Sequence, residues 1–325
     1  MFKWKKKGQI FDPSTVQGKD WIKEYTQAPW SVEYEDFIRV YFSCRPHPDS
    51  NVQYVSYSAF VDLDKNDLTK VIRLSENPIL PLGEKGCFDE FGTYPVCVVK
   101  NKSDYLAYYG GWTRCESIPF TVSIGLAKSL DEGKTFQKLG PGPLITSNIH
   151  DPFVTSGPKV RFFNGVWYMW YVAGTEWIKN NDRVEAVFKI RMATSIDGLN
   201  WKRDGRNLIE NKLEENECQA SPDVFYFEGL YHMFFCYKYC FDFRNNNRGY
   251  QIGYASSNDM IVWSRDDSQA GLEISTSGWD DQSIAYPNIL EINNKIYMFY
   301  IGNNVGKTGF GLAEMTEYSP VKGKE

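Results

Sequence analysis

Carboxylate side chains recur along the 325-residue chain, each beside or shortly before a proline and an aromatic, strand-like segment. Two carboxylates on opposite sides of a sugar can cleave a glycosidic bond, because one protonates the departing oxygen and the other attacks or activates water. The acids in such positions are Asp89 or Glu90, Asp151, Glu217 and Asp281. They are far apart in the chain, so this chemistry requires a fold that brings them together.

The segments that carry these acids belong to a unit that the chain repeats five times. Its prolines are Pro29, Pro95, Pro152, Pro222 and Pro287, at intervals of 66, 57, 70 and 65 residues. A repeat of this length that is built from strands predicts the blades of a β-propeller, where equivalent positions converge on one axis. We predict an all-β fold, a five-bladed β-propeller that forms a single domain over residues 1–325, with blades beginning near residues 27, 89, 150, 217 and 280.

A second strand follows each opening. The five segments are residues 37–42, 105–110, 166–171, 230–235 and 295–300. They are short, rich in aromatic and β-branched residues, and bounded by Gly or Asn, as strands are. Their unbroken apolarity indicates burial on both faces, which fits sheets that stack between neighbouring blades.

The fifth unit has too few residues for a complete blade, since only a short polar tail follows residue 313. The first eleven residues carry four apolar side chains and precede the first opening. These are Phe2, Trp4, Ile10 and Phe11. We predict that this N-terminal strand completes the fifth sheet, because closing the ring removes an exposed edge. The alternative is a disordered basic start, with lysines at residues 3 and 5–7.

Composition narrows the class of protein. The net charge of −5 and the lack of a Lys/Arg stripe argue against nucleic acid as a partner. No apolar run is long enough to span a bilayer, and the basic start lacks the apolar stretch of a secretory signal. Seven cysteines without a Cys-x-x-Cys spacing and only three histidines indicate neither a zinc site nor a disulfide framework. We expect a cytoplasmic protein with reduced thiols and no cofactor or metal, of unspecified oligomeric state.

Several residues near the openings are candidates for contact with a sugar. They are Trp30, Arg45, Glu90, Tyr94, His150, Gln219, Gln282 and Tyr286. Aromatic rings can stack on the apolar face of a sugar, although such rings also wedge between blades. Acids at a strand start can likewise satisfy loop amides or pair with arginine instead of doing chemistry. Recurrence of acids at one position in four repeats favours the functional interpretation.

Two short motifs resemble glycoside hydrolase family 32, the invertases and fructanases. His150-Asp151-Pro152 resembles the Arg-Asp-Pro motif of that family, and Glu217-Cys218 resembles its Glu-Cys motif. The resemblance implies that Glu217 is the acid/base and that Asp151 binds substrate hydroxyls and stabilises the transition state. The repeat pattern also resembles families 43, 62, 68 and 130, which share a five-bladed propeller with an axial active site. The last blade is similar to a family-32-like group from bacterial surface-glycan gene clusters.

The first blade departs from the family-32 pattern. That family carries its nucleophilic Asp in a Trp-x-Asn-Asp-Pro-Asn motif, whereas residues 26–30 here read Thr-Gln-Ala-Pro-Trp and contain no carboxylate. Asp281 or Asp89 would have to supply the second acid. Phosphorolysis, as in family 130, would instead need a basic pocket for phosphate. The available cations are Arg45, Arg114, Lys238 and Arg244.

Three functions are therefore open. The first, which we expect, is a bacterial carbohydrate-active enzyme, glycoside hydrolase-like, that cleaves or transfers a glycosyl group with Glu217, Asp151, Asp281 and Asp89 as catalytic candidates. The second is a carbohydrate-binding propeller without catalysis. The third is a phosphorolytic enzyme. The expected ligand is a sugar, an oligosaccharide or a nucleotide sugar, and neither the sugar nor the linkage is indicated.

Overall fold

The computed structural model describes residues 1–181, 183–243 and 248–320 of the chain, and nearly all of its regular structure is β. Twenty strands in this part of the chain form five four-stranded antiparallel sheets, arranged as the blades of a propeller ring. The predicted fold class is thus confirmed. The described residues contain one short helix, Asn303–Gly306, and no helix among them is long and apolar enough to cross a bilayer.

The strands follow the same order in every blade. The chain begins with β1 (Phe2–Phe11). Blade 1 contains β2 (Glu24–Glu33), β3 (Phe37–Arg45), β4 (Tyr57–Asp64) and β5 (Asp67–Leu74). Blade 2 contains β6 (Gly92–Asn101), β7 (Asp104–Arg114), β8 (Phe120–Ser129) and β9 (Gln137–Lys138). Blade 3 contains β10 (Thr155–Phe163), β11 (Val166–Asn180), β12 (Arg183–Ser195) and β13 (Lys202–Arg203).

The last two blades repeat this pattern and close the ring. Blade 4 contains β14 (Cys218–Phe227), β15 (Leu230–Lys238), β16 (Gln251–Ser257) and β17 (Ser264–Arg265). Blade 5 contains β18 (Ala285–Ile292), β19 (Lys295–Ile301) and β20 (Phe310–Tyr318), with β1 as its outermost strand. The first strands of the blades contact one another around the axis, and the five predicted second strands all lie within β3, β7, β11, β15 and β19.

The N-terminal strand completes the fifth sheet, as predicted. β1 pairs antiparallel with β20, from Phe2 opposite Tyr318 to Phe11 opposite Phe310. The Phe2 side chain is buried against rings of blade 4, including Phe234 at a centroid distance of 5.1 Å. The ring is therefore closed by non-covalent pairing of the two ends of the chain, which leaves no unpaired edge on β20.

Every inner strand is interrupted by a β-bulge at a residue–proline pair. The pairing register shifts at Ala28-Pro29, Tyr94-Pro95, Gly157-Pro158, Ser221-Pro222 and Tyr286-Pro287. Proline has no N–H to donate to a ladder, so a bulge is one of the few places in a sheet that accepts it. The bulges therefore mark the equivalent positions of the five blades.

The alignment of Pro152 with the other prolines was wrong. Pro152 lies in the loop before β10, and the third bulge contains Pro158. With this replacement, the intervals between equivalent prolines become 66, 63, 64 and 65 residues. The repeat is thus more regular than the sequence pattern indicated.

Four of the five residues that precede the bulge prolines have left-handed backbone conformations. The φ angles are 52° at Ala28, 58° at Gly157, 50° at Ser221 and 54° at Tyr286. A side chain makes this conformation unfavourable by about 1–2 kcal/mol per residue, so the surrounding strands must impose it on Ala28, Ser221 and Tyr286. Strain of this kind concentrates at functional sites, which directs attention to the axis.

We expect Phe2→Ala to lower the free energy of unfolding by about 3–5 kcal/mol, because it leaves a cavity between β1 and blade 4. Lys5→Ala, on the same strand but exposed, should change it by less than about 0.5 kcal/mol. Urea unfolding followed by circular dichroism measures both. Equal stabilities for the two variants would mean that β1 does not hold the fifth blade.

Candidate functional site

The predicted catalytic residue Asp151 lies in a buried cluster of charges in blade 3. Its side chain has no exposed surface and accepts hydrogen bonds from Arg191 at 2.7 Å, Arg203 at 2.8 Å and the Tyr171 hydroxyl at 2.9 Å. Arg203 belongs to β13, the outermost strand of the blade. The carboxylate therefore connects the opening of the inner strand to the outer edge of the same blade.

The same arrangement occurs in blades 2 and 5. Asp89 accepts hydrogen bonds from Tyr109 at 2.9 Å and pairs with Lys138 of β9 at 2.5 Å. In blade 5 the acid is Asp280, next to the predicted Asp281. Asp280 contacts Tyr300 at 2.9 Å and Lys6 of β1 at 2.6 Å. In all three blades the tyrosine follows the acid by 20 residues, and the cation comes from the outermost strand.

Blades 4 and 1 are variants of this unit. Glu217 of blade 4 pairs with Arg265 of β17 at 2.6 Å and accepts the backbone N–H groups of Lys212 and Leu213 at 2.9 Å. In blade 1 the position is apolar, since Ile22 and Phe42 are again 20 residues apart and both are fully buried in one hydrophobic cluster. The recurrence of acids in the sequence thus corresponds to a repeated structural contact within the blades.

The protonation of Glu217 differs from that of a general acid. Burial alone would raise its pKa, but hydrogen bonds from Arg265, Gln219 and the Lys212 amide outweigh it and lower the pKa below the ordinary value of a glutamate. A general acid at neutral pH needs a raised pKa so that it holds a proton to donate. Glu217 is instead held as an ionised partner of Arg265.

Most of the other predicted residues are also engaged in local contacts. Asp281 accepts hydrogen bonds from Gly278 N and Asn303 Nδ2, and Glu90 accepts one from Gly86 N. Gln219 is buried and donates to Glu217 at 3.0 Å. The remaining positions are Trp30, whose indole N–H donates to Val98 O; His150, which is exposed; and Gln282, whose backbone N–H donates to Asn303 Oδ1.

The cations considered for phosphate are dispersed. Arg114 donates to Tyr54 O at 3.0 Å, and the Lys238 ammonium lies 3.5 Å from the centroid of the Phe243 ring. Arg244 lies outside the described residues. Only Arg45 of this group lines the cavity on the propeller axis.

An axial cavity of about 420 Å³ lies at the end of the ring where the inner strands begin. It is lined by the residues that precede the bulge prolines in all five blades: Ala28, Tyr94, Gly157, Ser221 and Tyr286. Further aromatic walls come from Tyr54, Trp112, Phe120, Phe188 and Tyr250. Of the twelve predicted site residues, the structure brings Arg45, Tyr94 and Tyr286 together here.

The phenols of the axial cavity are neutral hydrogen-bonding groups. The hydroxyls of Tyr94 and Tyr286 lie 3.1 Å apart. Burial raises the pKa of Tyr94, Tyr250 and Tyr286 above the ordinary value of a phenol. At neutral pH these side chains keep their protons, so they can donate to or accept from a ligand but are poor bases or nucleophiles.

The charged residues that line the axial cavity, within the described part of the chain, are Arg45 and Lys159, and no carboxylate is among the lining residues. The Arg45 guanidinium lies 4.9, 5.4 and 5.9 Å from the ring centroids of Tyr25, Tyr54 and Tyr94. Lys159 is 2% exposed, and its ammonium has no hydrogen-bond partner among the described residues. Burial lowers the pKa of Lys159, while the charge of Asp223 acts in the opposite direction.

Lys159 belongs to a buried layer that closes the axis, which we call the axial wall. It consists of the residues that follow the bulge prolines: Trp30, Val96, Lys159, Asp223 and Asn288. Asp223 is already paired, because Arg161 contacts its two oxygens at 2.8 and 2.9 Å and Asn288 donates to it at 2.9 Å. A second cavity of about 1000 Å³, lined by Trp30 and Arg161 among others, lies on the opposite side of the wall.

The sequence analysis missed Lys159, Ser221, Tyr54, Trp112 and Tyr250 as cavity residues. Alignment of the five repeats on Gly157-Pro158 instead of Pro152 would have placed Lys159 beside the axis. No comparable signal exists for Tyr54 and Tyr250, which lie in connections between strands.

Fold and cavity together define a five-bladed β-propeller with an aromatic, cationic site on its axis, and comparison with known proteins adds a family. The chain is 32% identical over 311 residues to the uncharacterized protein Rv1502 of Mycobacterium tuberculosis strain H37Rv, with 95% of this chain and 98% of the relative covered. The same values hold for the uncharacterized protein MT1551 of strain CDC 1551. The chain therefore belongs to the family of these mycobacterial proteins. No protein-family model matches it.

Similar solved structures confirm the architectural resemblance to propeller glycoside hydrolases. A structure described as a glycoside hydrolase has a TM-score of 0.75 at 15% identity, covering 99% of this chain and 95% of its own. A thermostable family-43 glycoside hydrolase gives 0.68 at 15% identity, covering 95% and 94%. The β-1,2-mannobiose phosphorylase of Listeria innocua, in complex with β-1,2-mannobiose, gives 0.68 at 12% identity, covering 96% of each chain. Likeness at this level of identity establishes the fold.

We expect Glu217→Gln to lower the free energy of unfolding by about 3 kcal/mol at pH 7, because Arg265 keeps its buried charge without a carboxylate partner. The folded-state pKa of Glu217 is lowered, so its contribution is present above the unfolded value and is lost as the pH falls below about 4. The difference between wild type and variant should therefore shrink at pH 3. Urea unfolding at both pH values measures it.

Glu215→Gln is the matched control, since Glu215 is two residues away and exposed. It should change stability by less than about 0.5 kcal/mol at either pH. A Glu217→Gln protein as stable as this control at pH 7 would contradict a structural role for the pair with Arg265.

We expect Lys159→Met to raise the free energy of unfolding by about 1–3 kcal/mol, because it removes a buried ammonium without a hydrogen-bond partner. Arg161→Met should have the opposite sign, since it leaves Asp223 buried without its cation. Urea unfolding of both variants tests the contrast. A loss of stability in Lys159→Met as large as in Arg161→Met would mean that the ammonium supports the axial wall.

Proposed function

We propose that the protein binds a carbohydrate in the axial cavity and functions as a glycan-recognition propeller. The observation that carries this proposal is the composition of the cavity: aromatic side chains, phenol hydroxyls and strained bulge residues from all five blades, without a carboxylate among the lining residues. Its volume of about 420 Å³ lies within the range of small-molecule sites. Aromatic faces with polar edges suit the apolar face and the hydroxyl groups of a sugar.

The structural neighbours support a sugar ligand by analogy. Their names describe glycoside hydrolases and a phosphorylase, one of them in complex with a disaccharide. Fold alone does not determine function, so the weight of the proposal rests on the cavity. A role in bacterial glycan metabolism and a cytoplasmic location remain predictions.

Hydrolysis or transfer by Glu217, Asp151, Asp89 and Asp281 is the alternative. It has less support, because Glu217, Asp151 and Asp89 are buried in contacts with cations and none of the four lines the axial cavity. To act on a ligand there, Glu217 would first have to leave Arg265, at 2.6 Å, and gain a proton. Phosphorolysis faces the same lack of a general acid in the cavity, although Arg45 is suitably placed for an anion.

The proposal is tested by measuring binding and turnover on the same samples. Monosaccharides, oligosaccharides and nucleotide sugars are screened by thermal shift, and the ligands found are titrated calorimetrically. We expect binding without product formation. Tyr54→Ala should weaken binding at least about tenfold through loss of stacking and hydrogen bonding.

Tyr226→Ala is the matched control, because Tyr226 is exposed and lines the cavity beyond the axial wall. It should bind as wild type does. Failure of every sugar to bind, or loss of binding in Tyr226→Ala but not in Tyr54→Ala, would contradict the proposal. Turnover by wild type that a folded Glu217→Gln protein lacks would establish the enzymatic alternative instead.

A further inference from the structure

We infer that the axial cavity recognises a sugar that carries a negatively charged group, and that Lys159 and Arg45 bind this group. The inference rests on the proposed function and adds the chemical class of the ligand. It depends on three observations: a buried ammonium without a hydrogen-bond partner, a guanidinium without an ion pair, and a cavity lining that contains no carboxylate.

The first observation is the environment of Lys159. The side chain is 2% exposed, lines the axial cavity and has an ammonium with no hydrogen-bond partner among the described residues. The nearest acid of the axial wall, Asp223, is occupied by Arg161, by Asn288 and by the backbone N–H of Ile289. Buried charges are normally paired. An anionic group in the cavity would provide the missing partner.

The second observation is the environment of Arg45. Three tyrosine rings surround its guanidinium, which fixes the orientation of the plane without using its N–H groups. The Nε atom is buried without an acceptor, and Arg45 forms no ion pair within the described part of the chain. A planar guanidinium with free donors is suited to bidentate contact with a carboxylate or a phosphate.

The third observation is the sign of the local charge. The protein as a whole carries a net charge of −5, yet the lining of the cavity contributes two cations and no anion among the described residues. At the rim, Glu24 is offset by His47 at 3.4 Å and Lys307 at 3.6 Å. A cleft whose charge has one sign attracts ligands of the other sign. Retention of two cations in an acidic protein therefore favours an anionic ligand.

Discrimination against neutral sugars follows from the same contacts. A neutral sugar would leave the Lys159 ammonium buried and without a counter-charge, whereas an acidic sugar would pair with it. One charge-assisted contact of this kind corresponds to a preference of about 10- to 100-fold. Carboxylate and phosphate groups share this chemistry, so uronic acids and sugar phosphates are both candidate ligands.

The test compares matched sugars. D-Glucose, D-glucuronate and D-glucose 1-phosphate, and the corresponding galactose set, are titrated into wild-type protein by calorimetry, with acetate and inorganic phosphate as anions without a sugar. We expect a uronate or a sugar phosphate to bind at least tenfold tighter than its neutral parent, and raised salt to weaken that binding. A preference for uronates alone indicates a carboxylate, and a preference for phosphates alone indicates a phosphate.

The variants assign the preference to the site. Lys159→Met should bring the ratio of anionic to neutral affinity close to one, and Arg45→Met should lower it. Lys100→Met, which changes an exposed lysine beside the opposite cavity, should leave it unchanged. The melting temperature of each variant is measured alongside, so that loss of binding is separated from loss of folding.

The outcomes distinguish the two proposals. Equal affinity of wild type for neutral and anionic members overturns the anionic ligand and leaves carbohydrate binding in place. Equal affinity for inorganic phosphate and the sugar phosphates means that the sugar contributes nothing, which overturns carbohydrate binding and leaves an anion site. Binding of neither the sugars nor the simple anions overturns both. An anionic preference that persists in folded Lys159→Met and Arg45→Met assigns the charge recognition to other residues.

Discussion

A buried carboxylate at the opening of an inner strand, paired with a cation from the outermost strand, is the contact on which four blades depend. The pairs are Asp89 with Lys138, Asp151 with Arg203, Glu217 with Arg265 and Asp280 with Lys6. Each spans the full width of its sheet, so the start of the inner strand is held relative to the outer edge. Desolvation makes such pairs costly to break, because removal of one partner strands the other charge. Blade 1 achieves the same closure with Ile22 and Phe42, which shows that the position is structural and tolerates apolar packing.

The bulges separate this structural layer from the axis. Each bulge proline follows the paired acid by five to seven residues, and the chain turns there so that the residue before the proline lines the cavity. The carboxylates consequently lie within the blades, whereas Ala28, Tyr94, Gly157, Ser221 and Tyr286 meet on the axis. In this propeller the strained residues and the acids are different sets. The cavity is therefore aromatic and cationic, although acids precede it in four blades.

The axial wall gives the two ends of the ring different properties. Asp223, Arg161 and Asn288 form a satisfied network within it, and Trp30 covers one side of Lys159 at 4.7 Å from ammonium to ring centroid. Lys159 is the member that this network leaves without a hydrogen bond among the described residues. Its position between a closed wall and an open cavity makes it the residue through which the fold and the site are most directly linked.

The sequence by itself determined the number of blades, the second strands and the closure by residues 2–11, because these depend on period, β-propensity and apolar pattern, which are local properties. It also indicated Arg45, Tyr94 and Tyr286 near the axis. Which residues face the cavity was decided only by the tertiary structure. A bulge changes the face on which every following side chain lies, so the substitution of Pro158 for Pro152 as the third bulge moved attention from Asp151 to Lys159. The pairing of acids with cations about 50 residues away in three of the blades, and across the two ends of the chain in the fifth, likewise has no local signal, because it arises only when outer strands dock onto inner ones.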